Sequence, residues 1–269
     1  MQDLNIVCLQ SDLVWENPEA NRQHFSVLLE QQTLHHDLII LPETFTTGFP
    51  VDPRLFAEPE EGPTMVWMRE KAVLYGSVVC GSLLIEKKGL YYNLFIWMRP
   101  DGSFETYAKR HVFRMGGEHE LISQGNSLLT VELNGWKIRP MICYDLRFPV
   151  WSRNSLTNGG FAYDLLIYVA NWPAVRSWPW KQLLIARAIE NQAYVIGLNR
   201  VGTDGLGFSY SGDSSLIDAK GQAITQAVAE KECLLEMTLN YAELLIFRQK
   251  FNVSLDWDQF NMLHLPTDH

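Results

Sequence analysis

The chain has 269 residues, 47% of them apolar and 20% charged, enough material for a multi-layer core and ordinary for a soluble enzyme. A net charge of −9 excludes a broad nucleic-acid or anionic-membrane surface, because such binding is driven by Lys and Arg on phosphates. The N-terminus lacks a basic start and an apolar signal core, and no apolar run approaches the ~20 residues needed to span a bilayer. The four cysteines (Cys8, Cys80, Cys143, Cys233) are scattered without a C-x-x-C pair. They read as free thiols of a cytoplasmic protein.

In chain order, Leu4–Gln10 is a strand, followed by a helix entered through Asn17-Pro18, with Asn as cap and Pro in the first turn. Residues 37–42 (DLIILP) form a continuous apolar run of the kind buried on both faces. Gly62-Pro63 opens a second helix that runs to about Tyr75, and Ser77–Glu86 is a strand. Lys87-Lys88-Gly89 and Pro100-Asp101-Gly102 are turns between β-like runs, so part of this sheet should be antiparallel. Lys109–Ser127 is irregular. Lys137–Cys143 is a strand, and Arg147–Asn158 a helix ended by Gly159-Gly160. Asp164–Ala170 repeats the buried-strand signature. Trp180–Gln192 is a helix with Arg187 and Glu190 spaced to pair, and Tyr194–Asn199 is a strand. Residues 218–221 make a further turn, and Phe247–Leu265 is a tail rich in Phe, Trp and Leu. Without a linker or repeat, residues 1–269 are expected to form one α/β domain with a mixed sheet or two packed sheets.

Three ionisable residues sit where a buried strand stops: Glu43 after DLIILP, Lys109 after Phe104–Ala108, and Cys143 after Lys137–Ile142. Strand ends hold side chains rigidly yet open onto a crevice. A thiolate is a nucleophile, a carboxylate can take its proton and later activate water, and an ammonium can stabilise an oxyanion. Taken singly, each residue is ordinary: a core thiol, a loop carboxylate, a surface amine. No other chemistry is better represented. Histidines 35, 36, 111, 119 and 264, five of the seven, form no metal-ligand spacing, Gly207–Gly212 is not a G-x-S-x-G elbow, and no G-x-G-x-x-G occurs. Neither a metal nor an organic cofactor is called for.

The segments Leu41-Pro42-Glu43, residues 107–111 (YAKRH) and residues 141–149 (MICYDLRFP) resemble, in order, the signature of the nitrilase superfamily of carbon–nitrogen hydrolases. Gly117-Glu118, Ala186–Asn191, Asn199–Gly202 and Gly212–Ser214 extend the resemblance over nearly the whole chain. It implies a four-layer α-β-β-α sandwich, usually dimeric, with Cys143 as nucleophile, Glu43 as base and Lys109 as oxyanion stabiliser. It also implies a second glutamate, best matched by Glu118 with Glu120 as the nearby competitor, and the backbone N–H of Tyr144 as a further oxyanion donor. Cys143-Tyr144-Asp145 departs from the Cys-Trp-Glu usual in true nitrilases and is most similar to the bacterial omega-amidase branch. That branch deamidates dicarboxylic acid monoamides of the 2-oxoglutaramate and 2-oxosuccinamate type, with water and a small amide as the only partners besides a second subunit. A distal carboxylate needs a cation, for which Arg114, Arg147 and Arg176 are candidates, Arg147 with a pairing to Asp145 as its other use. Trp172 is a candidate pocket wall or an ordinary core aromatic. The remaining alternatives are another activity of the same superfamily, N-carbamoyl amino acid hydrolysis or nitrile hydrolysis, and a non-catalytic small-molecule sensor on this fold.

Overall fold

The structure is a computed structural model that describes residues 2–32, 34–157 and 160–262. Among them two sheets carry the fold. The first runs in the order Cys233–Leu239, Leu4–Gln10, Leu38–Ile40, Val78–Lys87, Leu90–Met98 and Phe104–Ala108, with Glu58–Pro59 pairing beside Val78–Lys87. The second runs Ala223–Gln226, Ser215–Ile217, Tyr194–Asn199, Leu165–Ala170, Trp136–Ile142 and Val131–Leu133. Each has a parallel centre of three strands flanked by antiparallel ones.

Alternation along the strands builds the layers. Leu4, Ile6 and Cys8 join one core cluster with residues of the second sheet such as Trp136, Ile138 and Leu165. Their neighbours Val7 and Leu9 join another, with Phe25, Leu28 and Leu29 of helix Pro18–Glu30 and Met65, Met68 and Ala72 of helix Pro63–Tyr75. On the far side, helix Ser177–Asn191 buries Trp180, Leu184 and Ala188 against the second sheet. A Cβ at Gly197 would come within 2.4 Å of Leu184 and 2.8 Å of Trp180, so glycine sets that close helix–sheet approach. Helix, sheet, sheet, helix is a four-layer α-β-β-α sandwich.

Local chemistry explains the helix starts. Asn17 accepts from the Ala20 N–H at 3.1 Å with Pro18 in the first turn, and Gly76 closes helix Pro63–Tyr75 at φ +61°. Both hairpin turns and the Arg187–Glu190 pair (3.0 Å) form where the sequence places them. Helix Ser177–Asn191 starts three residues before Trp180, since Pro179 is tolerated in a first turn.

The expected helix over 147–158 is not there. A 3-10 turn spans Cys143–Arg147, one helical turn spans Pro149–Ser152, and Leu156–Thr157 is extended; Asn158 and Gly159 lie outside the described residues. Pro149 drives Phe148 out of the helical region, to φ −116° and ψ 86°. Beyond it, Asn154 and Asn191 tie up the backbone: the Asn154 N–H donates to Asn191 Oδ1 (2.8 Å) and its amide to the Tyr163 carbonyl (3.0 Å). Strand Cys233–Leu239 and helix Tyr241–Lys250 are additions to the sequence reading. Of the tail, Phe247–Lys250 end that helix, Val253–Asp256 form a 3-10 turn, and residues 263–265 lie outside the described residues. No helix of the described residues is long and apolar enough to cross a membrane.

Candidate active site

The ends of strands from both sheets deliver side chains to one cavity. Beyond Leu38–Ile40, the Leu41 N–H still bonds the Cys80 carbonyl (2.7 Å), after which the chain turns through Thr44 at φ +40° and delivers Glu43. The edge strand Phe104–Ala108 delivers Lys109, whose N–H bonds the Asn93 carbonyl at 2.9 Å. From the second sheet, Trp136–Ile142 delivers Cys143 and Leu165–Ala170 delivers Asn171. Cys143 is held at φ +42°, a left-handed conformation that costs a non-glycine residue about 1–2 kcal/mol. The site thus straddles the two sheets.

Lys109 Nζ is the hub. It donates to Glu43 Oε1 at 2.9 Å and to Glu118 at 2.9 and 3.1 Å, all three residues being buried. Glu118 sits in the one-turn helix Glu118–Leu121, and the Phe113 N–H also donates to its carboxylate. Glu120 is exposed, so the geometry selects Glu118 as the second glutamate of the cluster. Glu43 Oε1 also accepts from Asn93 Nδ2 (2.8 Å), while Oε2 accepts the Asn171 N–H (2.7 Å). The Cys143 thiol faces the Asn171 carbonyl at 3.9 Å.

Electrostatics sort these groups. Burial by itself lowers the pKa of Lys109, but the Glu118 and Glu43 carboxylates more than offset it and hold the ammonium above the ordinary lysine value. Burial, reinforced by the Glu43 carboxylate and opposed by Lys109, pushes the Cys143 thiol well above its ordinary value. At neutral pH the group at rest is therefore a thiol beside a carboxylate, not a free thiolate. An attack by sulfur needs a proton acceptor nearby, and the carboxylate that lines the same cavity is that of Glu43.

A cavity of about 310 Å³ opens above Cys143, small but within the range of ligand sites. Glu43, Lys109 and Asn171 line its floor with the cysteine. Tyr144 lines it too, edge-on to Phe113 and Phe148 with ring centroids 5.1 Å apart in both cases. Trp172 lines it while buried, its indole N–H donating to the Arg176 carbonyl at 2.7 Å, so it is both wall and core. The guanidiniums of Arg147, 4.8 Å above the Trp172 ring, and Arg176, 5.6 Å above Phe113, also face the cavity. Neither forms an ion pair among the described residues. Arg147 does not pair with Asp145, whose carboxylate is occupied by Tyr107, His111 and the Ile142 N–H. Arg114 is exposed and off the cavity wall, which removes it from the three candidates. Asp204, also on the wall, is committed to Tyr210 OH (2.8 Å) and to the N–H groups of Leu206 and Phe208. Among the described residues no group of His, Cys, Asp and Glu could hold a metal ion.

The sequence reading passed over Asn93 and Asn171, which fix the two oxygens of Glu43. A signal existed in both cases: each is a polar residue in or just after a buried apolar run, NLFIW and DLLIYVA.

Fold and site define a hydrolase with a cysteine, a carboxylate and an ammonium at a strand-end crevice, and comparison with known proteins gives the class its name. The carbon–nitrogen hydrolase family model matches residues 5–246, and the chain belongs to that family. It is 44% identical over 262 residues to omega-amidase YafV of Escherichia coli K12, covering 97% of this chain and 100% of that one. It is 34% identical over 229 residues to a 2-oxoglutaramate amidase of Bacillus subtilis, covering 84% and 87%. Among solved structures it superposes with a TM-score of 0.94 on XC1258 from Xanthomonas campestris, a CN-hydrolase superfamily protein with an arsenic adduct in its active site. That pair is 42% identical over 97% of this chain and 100% of the other.

Proposed function

We propose that this enzyme is an omega-amidase, releasing ammonia from a small dicarboxylic acid monoamide of the 2-oxoglutaramate or 2-oxosuccinamate type. The observation that carries the reading is the convergence of thiol, carboxylate and ammonium on the lining of one cavity, whose wall also holds two guanidiniums without ion-pair partners among the described residues. Cys143 Sγ attacks the amide carbon as Glu43 takes the thiol proton. Lys109 and the Tyr144 N–H carry the charge that builds on oxygen. Glu43 passes its proton to nitrogen, the C–N bond breaks and ammonia leaves. Water, deprotonated by Glu43, then cleaves the thioester and restores the thiol, with Glu118 keeping Lys109 in place. The names of the relatives at 44% and 34% identity support the substrate class.

The wall chemistry adds a reason for a 2-oxo acid over an amino acid. A distal carboxylate meets Arg147 or Arg176, whereas the ammonium of glutamine would meet the same cations with Asp204 already satisfied. Assayed side by side, the two keto-acid amides are expected to exceed glutamine in kcat/KM by about 100-fold. Simple nitriles and N-carbamoyl amino acids should lag further. Arg147→Met or Arg176→Met should raise KM for the keto-acid amide on the order of 10–100-fold with kcat little changed, as loss of a charge-assisted hydrogen bond does. Turnover restricted to nitriles, or KM unmoved in both variants, would sink the assignment.

The chain is expected to work as a homodimer in the reducing cytoplasm, its four cysteines all being free. Supporting the dimer, Leu245, Ile246, Phe251, Leu255, Phe260 and Met262 expose apolar side chains near the C-terminus. Sedimentation of a monomer at micromolar concentration would remove that part of the reading.

A further inference from the structure

The left-handed turn at Cys143 is held from behind by a carboxylate outside the cavity. Asp145, fully buried, accepts the Ile142 N–H at 3.1 Å and Tyr107 OH at 2.7 Å on Oδ2. Its Oδ1 accepts the His111 N–H at 3.0 Å and faces His111 Nδ1 at 2.8 Å. With the other three partners all donors, this contact fits the tautomer protonated on Nδ1. Three of the four donors thus belong to the segment that carries Lys109, and the fourth is the N–H of Ile142, the residue before Cys143. One carboxylate joins the two sheets where nucleophile and ammonium have to face each other. His111 lies flat on Phe148, centroids 3.8 Å apart at 7°, and Trp151 Nε1 donates to Tyr107 OH at 2.9 Å. None of His111, Asp145 and Tyr107 lines the cavity.

We propose that Asp145 and His111 are positioning residues: the imidazole N–H fixes the carboxylate, and the carboxylate fixes the turn that aims Cys143 Sγ at Glu43. The inference rests on Cys143 being the nucleophile, so the parent enzyme is checked first for an acyl adduct on Cys143 by mass spectrometry of a quenched reaction. No adduct there would overturn that assignment and this proposal together.

Two variants separate aim from stability. His111→Phe keeps the ring on Phe148 but loses the Nδ1–H, whereas His111→Asn keeps a side-chain N–H near that position and gives up the stacking. His111→Phe is expected to lose about 10–100-fold in kcat with KM within about twofold, the size of effect that a small misplacement of a reacting group produces. Alkylation of Cys143 by iodoacetamide should slow in parallel. His111→Asn should stay within about threefold of the parent in kcat although it is the less stable of the two by thermal unfolding. Asp145→Asn should fall about 100-fold or more, because an amide N–H₂ in place of either oxygen would face a backbone N–H, that of His111 or that of Ile142. The proposal is overturned if kcat follows stability instead, with His111→Phe as active as the parent and His111→Asn impaired, or if the losses appear in KM.

Discussion

Cys143→Ala is expected to lower ammonia release by a factor on the order of 10⁴ or more, with the thermal unfolding midpoint within a few degrees of the parent. The side chain lines the open cavity and its sulfur makes a long polar contact with the Asn171 carbonyl, so its loss enlarges that cavity and leaves no sealed void in the core. Alanine keeps the same left-handed turn at φ +42°, so the backbone strain is unchanged. Residual turnover above about 1% would show that sulfur is not the nucleophile. Glu43→Gln gives the complementary result. The negative charge that helps push the thiol up is gone while Lys109, which pulls it down, stays. The pH midpoint of Cys143 alkylation should therefore move to lower pH, yet turnover should fall about 1000-fold because no proton acceptor remains. A more ionised cysteine in a slower enzyme separates proton transfer from simple thiolate supply.

How far the sequence carried depended on the range of the forces involved. Strand Tyr194–Asn199 and helix Pro18–Glu30 were readable because a buried apolar run and an Asn-Pro start are local signals. The two-sheet stacking and the meeting of Glu43 with Lys109, 66 residues apart, are tertiary. They reached the sequence reading only through resemblance to a known family. Where tertiary bonds compete with local pattern, the pattern failed: the Asn154 N–H is bonded to Asn191 and its amide to the Tyr163 carbonyl, so Asn154 is not part of the helix that the composition of 147–158 suggests. The choice between Glu118 and Glu120 was similarly closed to spacing, since either could face inward from an irregular loop; Gly117 at φ +74° starts the one-turn helix that buries the first and exposes the second. Strand Cys233–Leu239 was legible and passed over, with Leu235, Met237 and Leu239 buried in alternation with exposed Glu236 and Thr238.

Lys109→Met is expected to abolish turnover and also to destabilise the protein, unlike the cysteine variant. The methionine keeps the apolar stem, but Glu43 and Glu118 are left buried, close together and without their shared cation. Removing one partner of a buried ion pair costs about 3–5 kcal/mol, or about 10 °C in unfolding midpoint for a domain of this size. The pH dependence gives the sign. Burial already pushes the Glu118 carboxyl above its ordinary value, against the pull of Lys109 and with the repulsion of Glu43 added. Without the ammonium that rise grows. A carboxyl whose folded-state pKa is raised binds its proton more tightly when folded, so its penalty is present at neutral pH and fades as pH falls through the raised value toward about 4.3. The stability gap between Lys109→Met and the parent should accordingly narrow between neutrality and pH 5. Adding Glu118→Gln removes one of the two stranded charges, and the double variant should regain part of the lost stability while staying inactive. A gap that widens on acidification, or a double variant no more stable than the single one, would mean that the ammonium is not what makes this pair of buried carboxylates tolerable.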